Sequence, residues 1–170
     1  MENHFFSKKE INLLNGIILR SEEMTADFYK MSDSDWKKLK YDFKTLKELK
    51  PHEIVPDVFA QVVKYDAKPW GSPFNSSVYT VYRVCIQDNT ILDRVKKFNL
   101  SIEPFLVYII VHELIHVLRF SKYIKKFEAN QEEMFKEEKL VHKITKNIME
   151  KNSIQYRQQI FDFFKKHLFF

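Results

Sequence analysis

Residues 102–120 of the 170-residue chain read IEPFLVYIIVHELIHVLRF, and this stretch decides the fold. Ser101 can cap the start of a helix here, and Pro104 falls in the first turn, where proline is tolerated. Apolar side chains cover nearly every face of this helix, which is typical of a helix buried at the centre of a domain. The three ionisable side chains in its middle, His112, Glu113 and His116, are costly to bury and therefore need a reason to be there.

These three residues form an HExxH motif. Residues i and i+4 share one face of a helix, so both imidazoles can bind one metal ion about 2 Å from each coordinating nitrogen, with Glu113 beside a water on that ion. Roughly 0.02 such motifs are expected by chance in a chain of this length and composition. The alternative is a pair of core histidines with an ion-paired glutamate, which would need a full set of polar partners.

A catalytic zinc ion usually has three protein ligands and one open position, so a third ligand is needed. The metzincin pattern is excluded, because Arg119 and Lys122 stand where it has its glycine and its last histidine. A further helix is predicted over residues 130–150, with Asn130 as its cap and Glu133 in the capping-box position. The candidates lie in this helix or just before it: Glu128, Glu132, Glu133, Glu137, Glu138 and His142.

Helical periodicity favours one of these candidates. The residues predicted to point inward are Met134, Glu138, Val141, Thr145 and Ile148. Glu137 borders this stripe and stays an alternative third ligand. An exposed acid on a charged helix is the other interpretation of Glu138, and for His142 a surface or supporting role is favoured over ligation.

The other segments predict a single α+β domain over residues 1–170. A helix over residues 8–28 precedes three strands, over residues 39–45, 57–66 and 77–87, and we expect a small antiparallel sheet of about three strands. The predicted parts are residues 1–35, a helical segment that could cover a cleft as a lid, residues 36–88, the sheet, and residues 89–170, the helical part. The last part carries the metal site and ends in a helix over residues 153–168.

Composition excludes several classes of function. With only two glycines, Gly16 and Gly71, the chain cannot contain a GxGxxG fingerprint or a phosphate-binding loop. Its single cysteine, Cys85, allows no intrachain disulfide and fits a reducing compartment. The net charge of +5 comes from lysine far more than arginine, so no nucleic-acid partner is expected. No signal segment or membrane-length apolar run is recognised, so we expect a cytoplasmic protein without a membrane partner.

The HExxH helix followed by Glu138 on a second helix resembles the gluzincin group of zinc metallopeptidases, in particular its small single-domain members. The resemblance implies a zincin-like fold with one Zn²⁺ per chain, held by His112, His116 and Glu138. It also implies hydrolysis of peptide bonds in a peptide or protein substrate by a metal-activated water, with Glu113 as the general base.

Two further positions bear on this resemblance. His142 occupies the place of a polar residue that in the group supports the first histidine, whereas Glu137 stands where the group usually has asparagine. The resemblance also implies that an extended peptide lies along the edge of the sheet, and we expect residues 77–87 to be that edge.

Side chains that stabilise the oxyanion or contact the substrate are expected near the metal. The candidates are Tyr108, Arg119, Tyr123 and Tyr156, together with His142. Two readings compete with an active peptidase. One is a latent or non-catalytic metal-binding module for regulation or interaction with the same fold. The other is a metal-free helical protein that docks a partner through its aromatic C-terminal tail. The simpler interpretation of that tail is that it packs onto the core.

Overall fold

The computed structural model describes residues 4–68, 70–71, 78–122 and 130–167, and it has an α+β fold, as predicted. This described part contains six α-helices and one three-stranded sheet. In chain order these are α1 (Lys8–Phe28), α2 (Asp33–Lys37), β1 (Tyr41–Lys44), β2 (Ala60–Ala67), β3 (Tyr79–Ile86), α3 (Asp88–Phe98), α4 (Ile102–Lys122), α5 (Gln131–Lys151) and α6 (Arg157–His167).

Helix α4 lies at the centre of the core. Residues 104–118 are all buried, because apolar side chains cover every face of the helix and meet neighbouring elements on each side. Helix α1 packs along α4 and buries Leu14, Ile17 and Met24. By length and composition α4 could also cross a membrane, but 83% of its most apolar window is buried inside the fold. The HExxH motif therefore lies in the most buried helix of the protein.

The helix ends follow local signals. Asn130 and Glu133 form the predicted capping box at the start of α5. Helix α6 begins later than predicted, because Ser153 and Tyr156 adopt positive φ angles of 51° and 58°, which interrupt a right-handed helix. Residue 168, the predicted end of that helix, lies outside the described residues.

The prediction of an antiparallel sheet is wrong. The strand order is β1-β3-β2, with β3 parallel to β1 and antiparallel to β2. The expectation that residues 77–87 form the edge is also wrong, since β3 is the central strand. Alternation along a strand indicates which face is buried but not which strand is its neighbour. In this sheet β2 is an edge strand.

Four residues of the sheet region, Asp42, Glu53, Tyr65 and Arg83, form a hydrogen-bonded group that we call the sheet cluster. The fully buried Glu53 carboxylate accepts hydrogen bonds from the Tyr65 hydroxyl at 2.5 Å, the Lys50 backbone N–H at 2.9 Å and the Arg83 guanidinium at 3.3 Å. Arg83 also donates two bonds to Asp42, each of 3.0 Å. Burial alone would raise the pKa of Glu53, but these bonds outweigh it and hold the pKa below its usual value.

Candidate metal centre

The HExxH motif places two imidazoles one turn apart on α4. His112, Glu113 and His116 are all less than one-tenth exposed. The Nε2 atoms of the two histidines are 3.1 Å apart, so both rings point their Nε2 atoms at one place. Their Nδ1 atoms are buried and have no hydrogen-bond partner among the residues that the structure describes.

Glu138 of α5 completes this group. One carboxylate oxygen lies 2.7 Å from Nε2 of His116, and the other lies 3.2 Å from Nε2 of His112. We call His112, His116 and Glu138 the cleft cluster; a ligand atom from each lies within 4.8 Å of the others. Ligand atoms on a tetrahedral zinc ion, each about 2.0–2.1 Å from it, are about 3.3 Å apart. The cluster is therefore only slightly tighter than a zinc site requires.

The donor set of the cleft cluster needs a positive charge at its centre. Two imidazole nitrogens and a carboxylate all carry lone pairs, and lone pairs that face each other at these distances repel. Protons on the imidazoles would meet this need by donating to Glu138, and so would a divalent ion. Two histidines and one carboxylate are also the ligand set of several catalytic zinc sites, so the residues present fit zinc.

The pKa shifts of the ionisable groups at this site also indicate that a positive charge is favoured there. Burial alone would raise the pKa of the Glu138 carboxyl, but the hydrogen bonds and charges of His112 and His116 outweigh it and hold that pKa far below its usual value. Burial would lower the pKa of His116, but its hydrogen bond to Glu138 and the charge of Glu113 raise it. Burial also raises the pKa of the Glu113 carboxyl, against the charges of the two imidazoles.

Glu137, the alternative third ligand, points elsewhere. Its carboxylate forms a two-point ion pair with the Arg119 guanidinium of α4, including a 3.1 Å bond between Nη2 and Oε2. Both side chains are largely buried, at 9% and 12% exposed. Glu137 is more buried than Glu138, whose side chain is 36% exposed, so burial alone would have selected the glutamate that points away from the histidines. The contact with Arg119 also shows that this arginine is already bound to a carboxylate.

His142 and Tyr108 lie behind the cleft cluster. The Tyr108 hydroxyl is 2.5 Å from Nδ1 of His142, and burial raises the pKa of Tyr108, so the phenol keeps its proton. Nε2 of His142 lies 3.7 Å from a Glu138 oxygen. Burial and the charge of His112 lower the pKa of His142 to about 3. Neutral His142 thus stands beside Glu138, and its ring is 4.3 Å from that of His112.

The cleft cluster lies in a cleft of about 1020 Å³. Residues 57–62, which lead into β2, line this cleft together with residues of α3, α4, α5 and α6. Because β2 pairs only with β3 in the described part of the chain, one backbone edge beside the cleft is unpaired. No described residue among 4–35 lines the cleft, and α1 packs into the core instead.

The other predicted contact residues are dispersed. Tyr108 lines the cleft, whereas Tyr156 is 70% exposed and borders a separate pocket beside the start of α4. Tyr123 lies outside the described residues.

Sequence reasoning missed the aromatic lining of the cleft. Phe59, Phe98, Phe120, Phe163 and Phe164 all contribute to it. The signal in the sequence is the Phe163–Phe164 pair, which the hypothesis of a partner-docking tail places at an interface. Both side chains are instead buried against the core, at 6% and 5% exposed.

Comparison with known proteins adds no relative: no protein-family model, no curated protein and no solved structure matches the chain.

Proposed function

We propose that this protein is a zinc-dependent peptidase with a zincin-like active site of the gluzincin type. The observation that carries the proposal is the cleft cluster itself, in which His112, His116 and Glu138 bring three ligand atoms within 4.8 Å of one another. Glu113 is adjacent in the same helix and lines the same cleft. This combination of a zinc ligand set, a neighbouring carboxylate and an accessible cleft supports hydrolysis over a purely structural role.

His112, His116 and Glu138 would hold the ion. When bound, zinc supplies Lewis acidity, which polarises a carbonyl group and makes water a better nucleophile near neutral pH. His142, which is hydrogen-bonded to Tyr108, lies 3.7 Å from a Glu138 oxygen and borders the proposed ligands. Such outer contacts orient ligands and typically change metal affinity about 10–100-fold when removed.

Glu113 has the role of general base. Its carboxylate takes a proton from the attacking water and passes that proton to the nitrogen of the leaving amine. Residues 60–62 of the edge strand β2 line the cleft, and its unpaired edge can bind the backbone of an extended peptide by β-augmentation. The substrate class is therefore a peptide or an unfolded segment of a protein.

The test combines metal analysis with peptide cleavage. Untagged protein is expected to contain about one zinc ion per chain by plasma mass spectrometry and to cleave members of a mixed peptide library. Glu113→Gln should keep its zinc and lose at least about 100-fold in cleavage rate, because only the proton transfer is removed. Glu133→Gln, an exposed capping residue of α5, is the matched control and should keep both properties. A folded wild-type protein that refuses added zinc would overturn the proposal.

One observation favours a second candidate, a metal-binding module that does not cleave general substrates. Of the candidate oxyanion-stabilising side chains, Arg119 is paired with Glu137, the Tyr108 hydroxyl bonds His142, and Tyr156 lies outside the cleft. Zinc at one ion per chain without cleavage of any library peptide would support the module. Removal of residues 1–35 is not a test of latency, because α1 contributes Leu14 and Ile17 to the core.

A further inference from the structure

The cleft extends past the cleft cluster to an aromatic end. Four rings line this end: Phe59, Phe98, Phe163 and Phe164. The Phe164 ring stacks on Tyr108 with 4.0 Å between centroids, and it lies 5.8 Å from the His142 ring. Because His142 lies 3.7 Å from Glu138, the aromatic end adjoins the cleft cluster.

The C-terminal turns of α3 and α6 meet at this aromatic end. The Phe98 ring is 4.6 Å from the His167 ring and 5.3 Å from the Phe163 ring. Four exposed lysines stand in these two turns: Lys96, Lys97, Lys165 and Lys166. Each helix C-terminus offsets only about half a positive charge, so the lysines leave this end of the cleft positive.

Nearby acids reduce this positive charge but do not cancel the four lysines. Asp57 and Asp93 both pair with Arg94, so these two acids and one arginine together leave one negative charge. Asp162 of α6 accepts a hydrogen bond from Gln158 at 2.9 Å. In the described part of the chain, no ion pair joins any of the four lysines to an acid. We call this lysine group, Lys96, Lys97, Lys165 and Lys166, the basic mouth.

The direction of a bound peptide follows from β2. The 3.9 Å contact of Asp57 with Arg94 puts the start of residues 57–62 at the basic mouth, and the chain runs from there into β2. Antiparallel strand pairs are about two to three times as common as parallel ones. A peptide that pairs antiparallel with this edge runs toward Asp57, so its C-terminal part lies at the aromatic end and the basic mouth.

We propose that the cleft selects peptide segments with a large apolar residue just after the scissile bond and an acidic side chain just beyond it. The aromatic end takes the apolar side chain, and the basic mouth attracts the acidic one. The basic mouth lies at exposed helix ends. A bound peptide can therefore continue past the cleft into solvent, and its C-terminus need not lie inside the cleft. This inference rests on the proposed function and names its substrate class.

The test measures peptide binding rather than cleavage. Zinc-loaded Glu113→Gln protein is titrated against a fluorescein-labelled, amidated, glycine-rich octapeptide with one central Phe-Glu pair, and binding is followed by fluorescence anisotropy. Replacing the peptide's Phe by Ala should weaken binding about tenfold, because the buried ring is lost. Replacing its Glu by Lys should weaken binding about fivefold at low salt. A peptide with the order Glu-Phe should bind like these weakened peptides.

Protein variants assign these effects to the basic mouth. Lys97→Glu should reduce the preference for Glu over Lys in the peptide to about twofold or less, since one exposed charge is reversed. Lys8→Glu is the matched control, an equally exposed lysine of α1 outside the cleft, and should change nothing. Equal binding of all the peptides, a gain only for a free C-terminal carboxylate, or tighter binding of an oligothymidylate would each overturn the inference.

Failure of this inference can be distinguished from failure of the proposed peptidase function. Wild-type protein that holds zinc and cleaves peptides without these preferences would overturn the inference and leave the peptidase standing. Protein that holds no zinc would overturn the proposed peptidase. The anisotropy titrations, repeated with metal-free protein, would then still test whether the aromatic end and the basic mouth select the Phe-Glu peptide.

Discussion

The sheet cluster and the cleft cluster both surround a glutamate, but they differ in what their partners can do. Glu53 accepts hydrogen bonds from a hydroxyl, a backbone N–H and a guanidinium, all of which are donors at neutral pH. Glu138 faces two imidazole nitrogens, which donate only when protonated and bind metal when not. Glu53, whose partners are all permanent donors, stabilises the fold. Glu138, whose histidine partners can lose their protons, can instead bind a cation together with them.

The largest expected effect breaks the cleft cluster. His116→Ala removes one of three ligands, so zinc affinity should fall at least about 1000-fold, more than the loss of an outer contact. Without zinc, the variant should unfold at a lower temperature than wild type but remain folded at room temperature, because Glu138 loses its 2.7 Å partner. Competition with a chromophoric chelator and thermal unfolding in EDTA measure the two quantities. Unchanged zinc affinity would mean that the histidines are core residues.

The sheet cluster should respond in the opposite way. Glu53→Gln leaves the Arg83 guanidinium with one buried partner fewer and should lower the free energy of unfolding by about 2–3 kcal/mol. Zinc affinity, measured on the folded variant, should stay within about twofold of wild type. Urea unfolding followed by circular dichroism gives the first value. A variant with lower zinc affinity and unchanged stability would reverse the roles assigned to the two clusters.

Two adjacent glutamates of α5 sharpen the comparison. Glu138→Gln should weaken zinc binding about 100-fold, because the carboxylate charge is lost from the ion. Glu137→Gln should weaken it only about tenfold, since it loosens the Arg119 contact that holds α5 in register. Arg119→Lys, which keeps the charge opposite Glu137, should cause a smaller loss than Glu137→Gln, because lysine keeps the ion pair but cannot pair at two points. Equal losses in the two glutamate variants would contradict the assignment of Glu138.

The smallest expected effect is a dependence of stability on pH. The folded-state pKa of Glu53 lies below its ordinary value of 4.5, so its contribution to stability is complete above that pH. It is lost as the pH falls from about 4.5 through the lower folded value, with a slope of at most about 1.4 kcal/mol per pH unit. Urea unfolding at several acidic pH values in EDTA should show this loss in wild type and a shallower slope in Glu53→Gln. Identical slopes would exclude Glu53 as its source.

Much of the helical framework could be predicted from the sequence. The bounds of α1 and the start of α5 match because capping boxes and helical periodicity are local. The apolar run of α4 predicted its burial for the same reason. The parallel pairing of β1 with β3 could not be predicted, because the strands are distant in sequence and alternation does not name a neighbour.

The candidate site also has one part that the sequence predicts and one part that it does not. The sequence by itself determined that two imidazoles and Glu113 share a buried helix, since spacing along one helix fixes their relative positions. Only the tertiary structure decided between Glu137 and Glu138, by pairing the first with Arg119 and turning the second toward the histidines. Met134 is also exposed in the structure, so the prediction from periodicity that it points inward is wrong. The register of one helix against another depends on contacts between distant residues, and a periodic pattern carries no information about those contacts.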